Sequence, residues 1–246
     1  MKEIDSAIEI ILQARHLIAF CGAGISVESG IPPFRGENGL WNKYDADCLD
    51  LDTYLYNPQL VWLTIKEIFY DFFGEALPNP AHFALAKLEE MGLLKAVITQ
   101  NIDNLHQTAG SKDVIEFHGN SHSFICQKCG KKYALKDLQL DKKPPLCGYC
   151  KGLLKPDFVF FGEAIPELAR DRAFGEAEMA DVVLVIGTTG EIMPACLIPR
   201  LAWQRGAKII EINPGYSAYR NTITHIHLSG AAGIILPLLV KGLAVD

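Results

Sequence analysis

The sequence predicts an α/β fold, a parallel sheet with helices on both faces, and two observations carry that expectation. Short apolar or β-branched runs alternate with stretches of helical periodicity along the 246 residues. Each run also ends at glycine or at a hydrogen-bonding residue, and open parallel sheets bind ligands beyond the carboxyl ends of their strands.

The elements follow in order. Ile4, Ile8, Ile11 and Leu12 share one helical face, and the apolar run from Leu17 to Cys21 reads as a buried strand. It stops at Gly22-Ala23-Gly24, and residues 25–30 open a helix or a loop. Pro32-Pro33-Phe34-Arg35-Gly36 and a stretch rich in Asp, Asn and Tyr predict loop and insertion, with no strand, up to about Tyr56. Asn57-Pro58 and Asn79-Pro80 each set a capping side chain before a proline at the first helical position. Helices are predicted from both, one carrying Leu60, Val61, Ile65, Ile68 and Phe72, the other spanning 81–91 and ended by Gly92. Further strands are predicted over 96–99, closed by Gln100-Asn101-Ile102-Asp103, and over 114–117, closed by His118-Gly119. Two more span 181–186, closed by Gly187-Thr188-Thr189-Gly190, and 208–212, closed by Asn213-Pro214-Gly215, with a helix over about 194–205 between them. A site is expected where these five strand ends meet.

Composition narrows the class. A net charge of −6 argues against a protein that grips nucleic acid by neutralising phosphates, and it suits basic peptide partners. No apolar stretch reaches the roughly 18 residues of a membrane span, and the first residues lack the layout of a secretory signal, so a cytoplasmic protein without membrane contact is expected. Of seven cysteines, four form two close pairs while Cys21, Cys48 and Cys196 stand alone, which suits a reducing compartment.

Cys126-x-x-Cys129 and Cys147-x-x-Cys150 bracket residues 130–146, a spacing that brings four thiolates around one tetrahedral zinc; two disulfides are the alternative. With cysteine at all four positions no site stays open for water, so the zinc is expected to be structural. Lys131, Lys132, Asp137, Asp141, Lys142 and Lys143 leave the intervening segment too polar for a core of its own, and metal binding would supply the folding energy. A zinc ribbon that binds nucleic acid competes with this reading, against the acidic charge balance.

Gly22-Ala23-Gly24 after a strand resembles a dinucleotide turn, in which glycine lets the backbone approach a pyrophosphate. The third glycine of that pattern is Val27 here, and no acidic residue ends a second strand about 20 residues on, which disfavours a hydride-transfer dehydrogenase. A tight turn that needs small residues is the plainer explanation of the same glycines.

Taken together, Gly22-Ala-Gly-Ile-Ser26, Ser29-Gly-Ile-Pro-x-Phe-Arg35, Thr99-Gln-Asn-Ile-Asp103, His118-Gly119, the four cysteines and Phe161-Gly-Glu163 resemble the sirtuin family in order and spacing, from about Ile8 to Leu239. The resemblance implies a Rossmann-like NAD-binding domain over 1–35, 81–122 and 156–246, and a small domain made of a helical insert, 36–80, and a zinc-binding module, 123–155. It implies removal of acyl groups from lysine side chains in the cleft between them, with NAD as a consumed co-substrate, one structural zinc ion, and acylated lysine-containing proteins or peptides as partners. By position, Gly22, Ala23, Gly24, Phe34, Arg35, Gly187, Thr188, Thr189 and Asn213 would contact phosphates and riboses. Gln100, Asn101, Ile102 and Asp103 would line the nicotinamide pocket. His118 would be the general base, with Asn101 beside it in the catalytic set, and Val159, Phe160, Phe161 and Gly162 would form the strand against which the peptide lies. Loss of nicotinamide develops oxocarbenium character at the sugar, so positioning dominates the rate; a neutral imidazole then takes a proton from a ribose hydroxyl. The implied products are free lysine, nicotinamide and O-acyl-ADP-ribose.

The chain departs from the family pattern at Cys21, usually Thr, at Pro33, usually Asp, at Thr189, usually Ser, and at Gly190-Glu191, where the family is more apolar; Glu191 is expected to point away from the phosphates. Ile65 and Ile68 stand where succinyl-preferring members carry a Tyr-x-x-Arg pair, and an apolar lining would favour acetyl or longer neutral acyl groups. Core packing is the other reading of both. Protein mono-ADP-ribosyl transfer and a non-catalytic NAD- or ADP-ribose-sensing module are the competing functions; the second would be expected to lack His118 or Asn101.

Overall fold

The computed structural model describes residues 2–34 and 39–244, so Arg35 lies outside the described residues. The chain lays down β1 (Leu17–Cys21), β2 (Leu94–Thr99) and β3 (Val114–Glu116), diverts into β4 (Gly119–Cys126), β5 (Lys132–Ala134) and β6 (Leu154–Phe158), and returns with β7 (Val182–Ile186), β8 (Lys208–Ile212) and β9 (Ile226–Leu228). The first and last trios build one six-stranded sheet in the order β3-β2-β1-β7-β8-β9, with every pairing parallel. The sheet order reverses beside β1, which places the crevice of a doubly wound fold between the ends of β1 and β7.

Alternation along β1 explains why its sequence is apolar throughout. Leu17, Ala19 and Cys21 pack against α1 (Lys2–Gln13), α4 (Pro80–Glu90) and α8 (Ala232–Leu243), while Ile18 and Phe20 face the opposite layer of α6 (Glu167–Met179) and α7 (Leu197–Gln204). A strand covered on both faces has no solvent side to mark with polar residues.

The middle trio forms a small antiparallel sheet, β5-β4-β6. Its core is shared with the insert, α2 (Leu51–Tyr56), α3 (Pro58–Lys66) and the π-helical turns Glu67–Phe72 that prolong α3. Tyr54, Trp62 and Phe69 from the insert pack with Phe124, Leu154 and Phe158, and the buried aromatic heads find partners: Tyr54 Oη donates to Leu154 O at 2.7 Å and Trp62 Nε1 to Asp141 O at 2.9 Å. Ile65 and Ile68 belong to this core at 0% and 1% exposure and border neither cavity of the site. The expectation that they line an acyl pocket is corrected: the helix buries that face, and Lys66, Phe69 and Tyr70 border a cavity instead.

Other differences have physical reasons. Within the stretch expected to be loop, Asp50 accepts the Thr53 N–H at 2.8 Å and so caps α2, a start signal hidden among several acidic residues. β4 carries Asn120, Ser121, His122 and Ser123 and owes its pairing to flanking strands and not to propensity. The segment expected to be the substrate strand is not one: β6 ends at Phe158, and of Val159, Phe160, Phe161 and Gly162 only Phe161 makes a bridge, parallel to Asp50.

Candidate functional site

The loop after β1 is built by close approach. A Cβ on Gly24 would lie 2.6 Å from Gly187 Cα, and one on Gly22 would lie 2.7 Å from Thr188 Cβ. Their N–H groups are committed to the neighbouring strand end, Gly22 N–H to Ile186 O at 2.9 Å and Gly24 N–H to Gly187 O at 2.8 Å. Glycine is thus required here so that the β1 and β7 loops can touch. Among the described residues Ala23 alone of the three has its N–H without a partner, at the start of the 3₁₀ helix Ala23–Ser29, where an anion is favoured. Asn79, the cap of α4, holds this short helix from behind through Nδ2 to Ile25 O at 2.7 Å and to Ser29 Oγ at 3.0 Å.

Beyond the strand ends lies a cleft of about 960 Å³. Gly22, Ala23, Gly24, Phe34, Gln100, Asn101, Ile102, His118, Gly187, Thr188, Thr189 and Asn213 line it, as do Val159, Phe160, Phe161 and Gly162. Glu191 is exposed and is not part of the lining. Gln100 Nε2 donates to Thr188 Oγ1 at 3.2 Å, and Asn213 Nδ2 donates to Thr188 O at 3.0 Å, so polar groups from the ends of β2, β7 and β8 are joined across the floor.

Asp103 faces elsewhere. It borders a second cavity of about 410 Å³, which shares Ala23, Phe34, Asn101 and Ile102 with the first. The four residues expected to line one pocket therefore straddle the junction of two. Asn101 Nδ2 donates to Gly22 O at 3.2 Å and to Ser26 Oγ at 3.1 Å, and Ser26 Oγ donates to Asp103 Oδ2 at 2.7 Å. Ser26 is fully buried in this chain of bonds and was given no role from sequence, although it closes the Gly22 to Ser26 motif. Asp103 Oδ1 also accepts the Leu105 N–H at 3.1 Å at the start of α5 (Leu105–Thr108).

His118 sits at the mouth of β3. Gly119 beside it has φ +73°, and a Cβ there would lie 2.2 Å from Asp157 O, so only glycine lets the chain turn from β3 into β4. His118 Nδ1 lies 3.0 Å from Gln100 O. A carbonyl can only accept, so Nδ1 carries the proton and Nε2 of the neutral ring is left as the base. Burial lowers the His118 pKa from its ordinary value of 6.5, partly opposed by the bond to Gln100 O. The imidazole is therefore neutral around pH 7.

Behind the site, His82 of α4 and His106 of α5 pack edge to face with centroids 4.9 Å apart. Burial holds His82 down to about 4, with Asp103 acting against the shift, and holds His106 down to about 3, with His82 adding to it. Both are depressed relative to the unfolded chain at 6.5, so protons bind the unfolded state first as pH falls. Unfolding free energy is expected to drop from about pH 6.5 towards pH 4, by roughly 2–3 kcal/mol for each histidine, and replacement of His106 by asparagine should flatten that slope in denaturant titrations at several pH values.

The four thiol sulfurs of Cys126, Cys129, Cys147 and Cys150 lie within 4.8 Å of one another, with Cys126 and Cys150 sulfurs 3.4 Å and Cys129 and Cys147 sulfurs 3.8 Å apart. Zinc bonds of about 2.3 Å set tetrahedral edges of roughly 3.8 Å, so the donor set fits one zinc ion. No pair is a disulfide. Backbone N–H groups of Lys128 and Cys150 point at the sulfurs of Cys126 and Cys147 at 3.4 and 3.5 Å, and the Tyr133 hydroxyl lies 3.1 Å from Cys147 Sγ, as suits thiolates.

A doubly wound sheet whose strand ends share one polar floor, with a zinc-stapled unit beside it, defines a dinucleotide-binding α/β protein. The Sir2 family profile matches residues 22–194, and the chain belongs to the Sir2 family. It is 47% identical over 243 residues to the "NAD-dependent protein deacylase" of Pyrococcus furiosus, covering 95% of each chain. Among solved structures it resembles a Sir2 homolog–NAD complex at 39% identity with a TM-score of 0.91, covering 97% of this chain and 93% of that one. It also resembles a Sir2 mutant holding a deacetylated p53 peptide and 3′-O-acetyl-ADP-ribose, at 36% identity with a TM-score of 0.90, covering 97% and 98%.

Proposed function

We propose that the protein removes acetyl or other neutral acyl groups from protein lysine side chains with consumption of NAD, giving nicotinamide, O-acyl-ADP-ribose and free lysine. The observation that carries this is His118, a neutral imidazole in the cleft whose Nδ1 is tied to Gln100 O, so that Nε2 is free to take a proton. NAD, when bound, supplies an activated sugar carbon; the protein's own work is to hold, orient and dry the reactants. Ala23, Phe34, Arg35, Thr188, Thr189 and Asn213 would hold phosphates and riboses, and Gly22, Gly24 and Gly187 would shape that floor. Gln100, Asn101, Ile102 and Asp103 would bracket the nicotinamide, and Val159, Phe160, Phe161 and Gly162 the peptide. The separate cores support a division into an NAD-binding domain over 1–35, 81–122 and 156–246 and a small domain over 36–80 and 123–155, with Phe158 and Phe160 of the third segment packing into the small domain's core. Seven unpaired cysteines suit a cytoplasmic location, and among the described residues no helix is long and apolar enough to cross a membrane.

The test is nicotinamide release with acetyl-lysine peptide and NAD; deacetylation that proceeds without NAD, or none with any acyl chain, would refute the reading. Asp103→Asn removes the charge that accepts from Ser26. Such bonds are worth about 1.5–3 kcal/mol, so kcat/KM for NAD should fall roughly 10- to 100-fold with the KM for peptide unchanged; a variant indistinguishable from wild type would exclude Asp103 from the nicotinamide pocket.

A further inference from the structure

One charged pair beside the cleft has no part in the chemistry above. Lys155, on β6, is only 3% exposed, and its ammonium has three acceptors for its three protons: Pro156 O at 2.8 Å, Phe158 O at 2.7 Å and Glu163 Oε2 at 2.9 Å. Its charge lies 4.2 Å from the centroid of the Phe160 ring. Glu163 Oε2 also accepts the Phe160 N–H at 2.7 Å, and the Glu163 N–H returns to Phe160 O at 3.0 Å. Among the described residues, every side-chain hydrogen bond of the pair falls within residues 155–163.

Stability does not explain it, since a buried ion pair is on average no better than an apolar pair of the same volume. What the pair does is select which backbone groups remain available. Phe158 O and both polar groups of Phe160 are taken by Lys155 and Glu163, Val159 N–H goes to His118 O at 2.8 Å, and Phe161 is bonded to Leu49 and Leu51 of the insert. Within 159–162, and among the described residues, Val159 C=O and the N–H and C=O of Gly162 are left without a partner. An extended peptide adds to such an edge through its main chain, and its register follows from which groups are open.

We propose that the Lys155–Glu163 pair is a positioning device that fixes the register in which the backbone of an acyl-lysine peptide docks on Val159 and Gly162. This rests on the deacylase reading and adds a residue-level determinant of peptide binding. The test compares a peptide of about ten residues with a single blocked acetyl-lysine that has no flanking backbone. Glu163→Gln should raise the peptide KM roughly tenfold, the worth of about one hydrogen bond, with kcat within about twofold and with the KM for NAD and for the single-residue substrate unchanged. The double variant Lys155→Met with Glu163→Leu should melt near wild type yet keep the raised peptide KM. Equal losses on both substrates, an unchanged peptide KM for Glu163→Gln, or recovery of peptide KM in the apolar pair would each overturn the proposal. Wild type without NAD-dependent deacylation would instead overturn the functional reading beneath it.

Discussion

His118→Ala should lower formation of deacylated peptide by about 10²- to 10⁴-fold, the usual contribution of a general base. Exchange of labelled nicotinamide into NAD should survive, because the proton that Nε2 accepts leaves a ribose hydroxyl only after the nicotinamide bond has broken. Equal loss of exchange and of product would assign His118 to binding. The wild-type rate carries the same signature in its pH dependence. Burial holds the imidazole below 6.5, so the base form predominates above that value, and kcat/KM should fall as pH drops with a midpoint on the acid side of 6.5. Gln100 acts here only through its carbonyl, so Gln100→Ala should leave that midpoint in place while disturbing the contact to Thr188.

Removing the metal should have the second largest effect. The sulfurs of Cys126 and Cys147 are buried in the same core as Trp62 and Phe124, so Cys147→Ser is expected to lose the zinc, to expose that core and to abolish deacylation, not merely to weaken it. Structural zinc contributes on the order of 10 kcal/mol to small modules. Freshly purified protein should contain one zinc per chain, and a strong chelator should lower the melting temperature and near-UV signal together. Protein free of zinc that melts and works like the holoenzyme would show that the four thiols fold the module by themselves.

The large sheet was legible because strands buried on both faces leave continuous apolar runs, and because Asn57-Pro58 and Asn79-Pro80 announce helices that do start there. The small sheet was not, nor was β9 at the edge of the large one. β4 presents Asn, Ser and His to a half-exposed surface, and β5 and β9 are three residues long each, so none of them has a period to read. At the site, residues at strand ends were foreseeable from type and position, whereas relations between distant segments were not. Ser26 joins Asn101 to Asp103 only because the 3₁₀ helix folds back on β2, and the split of Gln100 to Asp103 between two cavities depends on the direction each side chain takes. Ile65 and Ile68 carry the clearest lesson: helical spacing placed them on one face, and only packing decides that this face is inward.

The contact of Gly24 with Gly187 limits how the enzyme can be engineered. Any β-carbon at Gly22, Gly24 or Gly187 would wedge β1 from β7 at the crevice, so these three positions hold no usable diversity in a mutagenesis library. Variation aimed at a different co-substrate belongs on the far wall, at the solvent-exposed Thr189 and Tyr216, where new side chains have room and the sheet does not register the change.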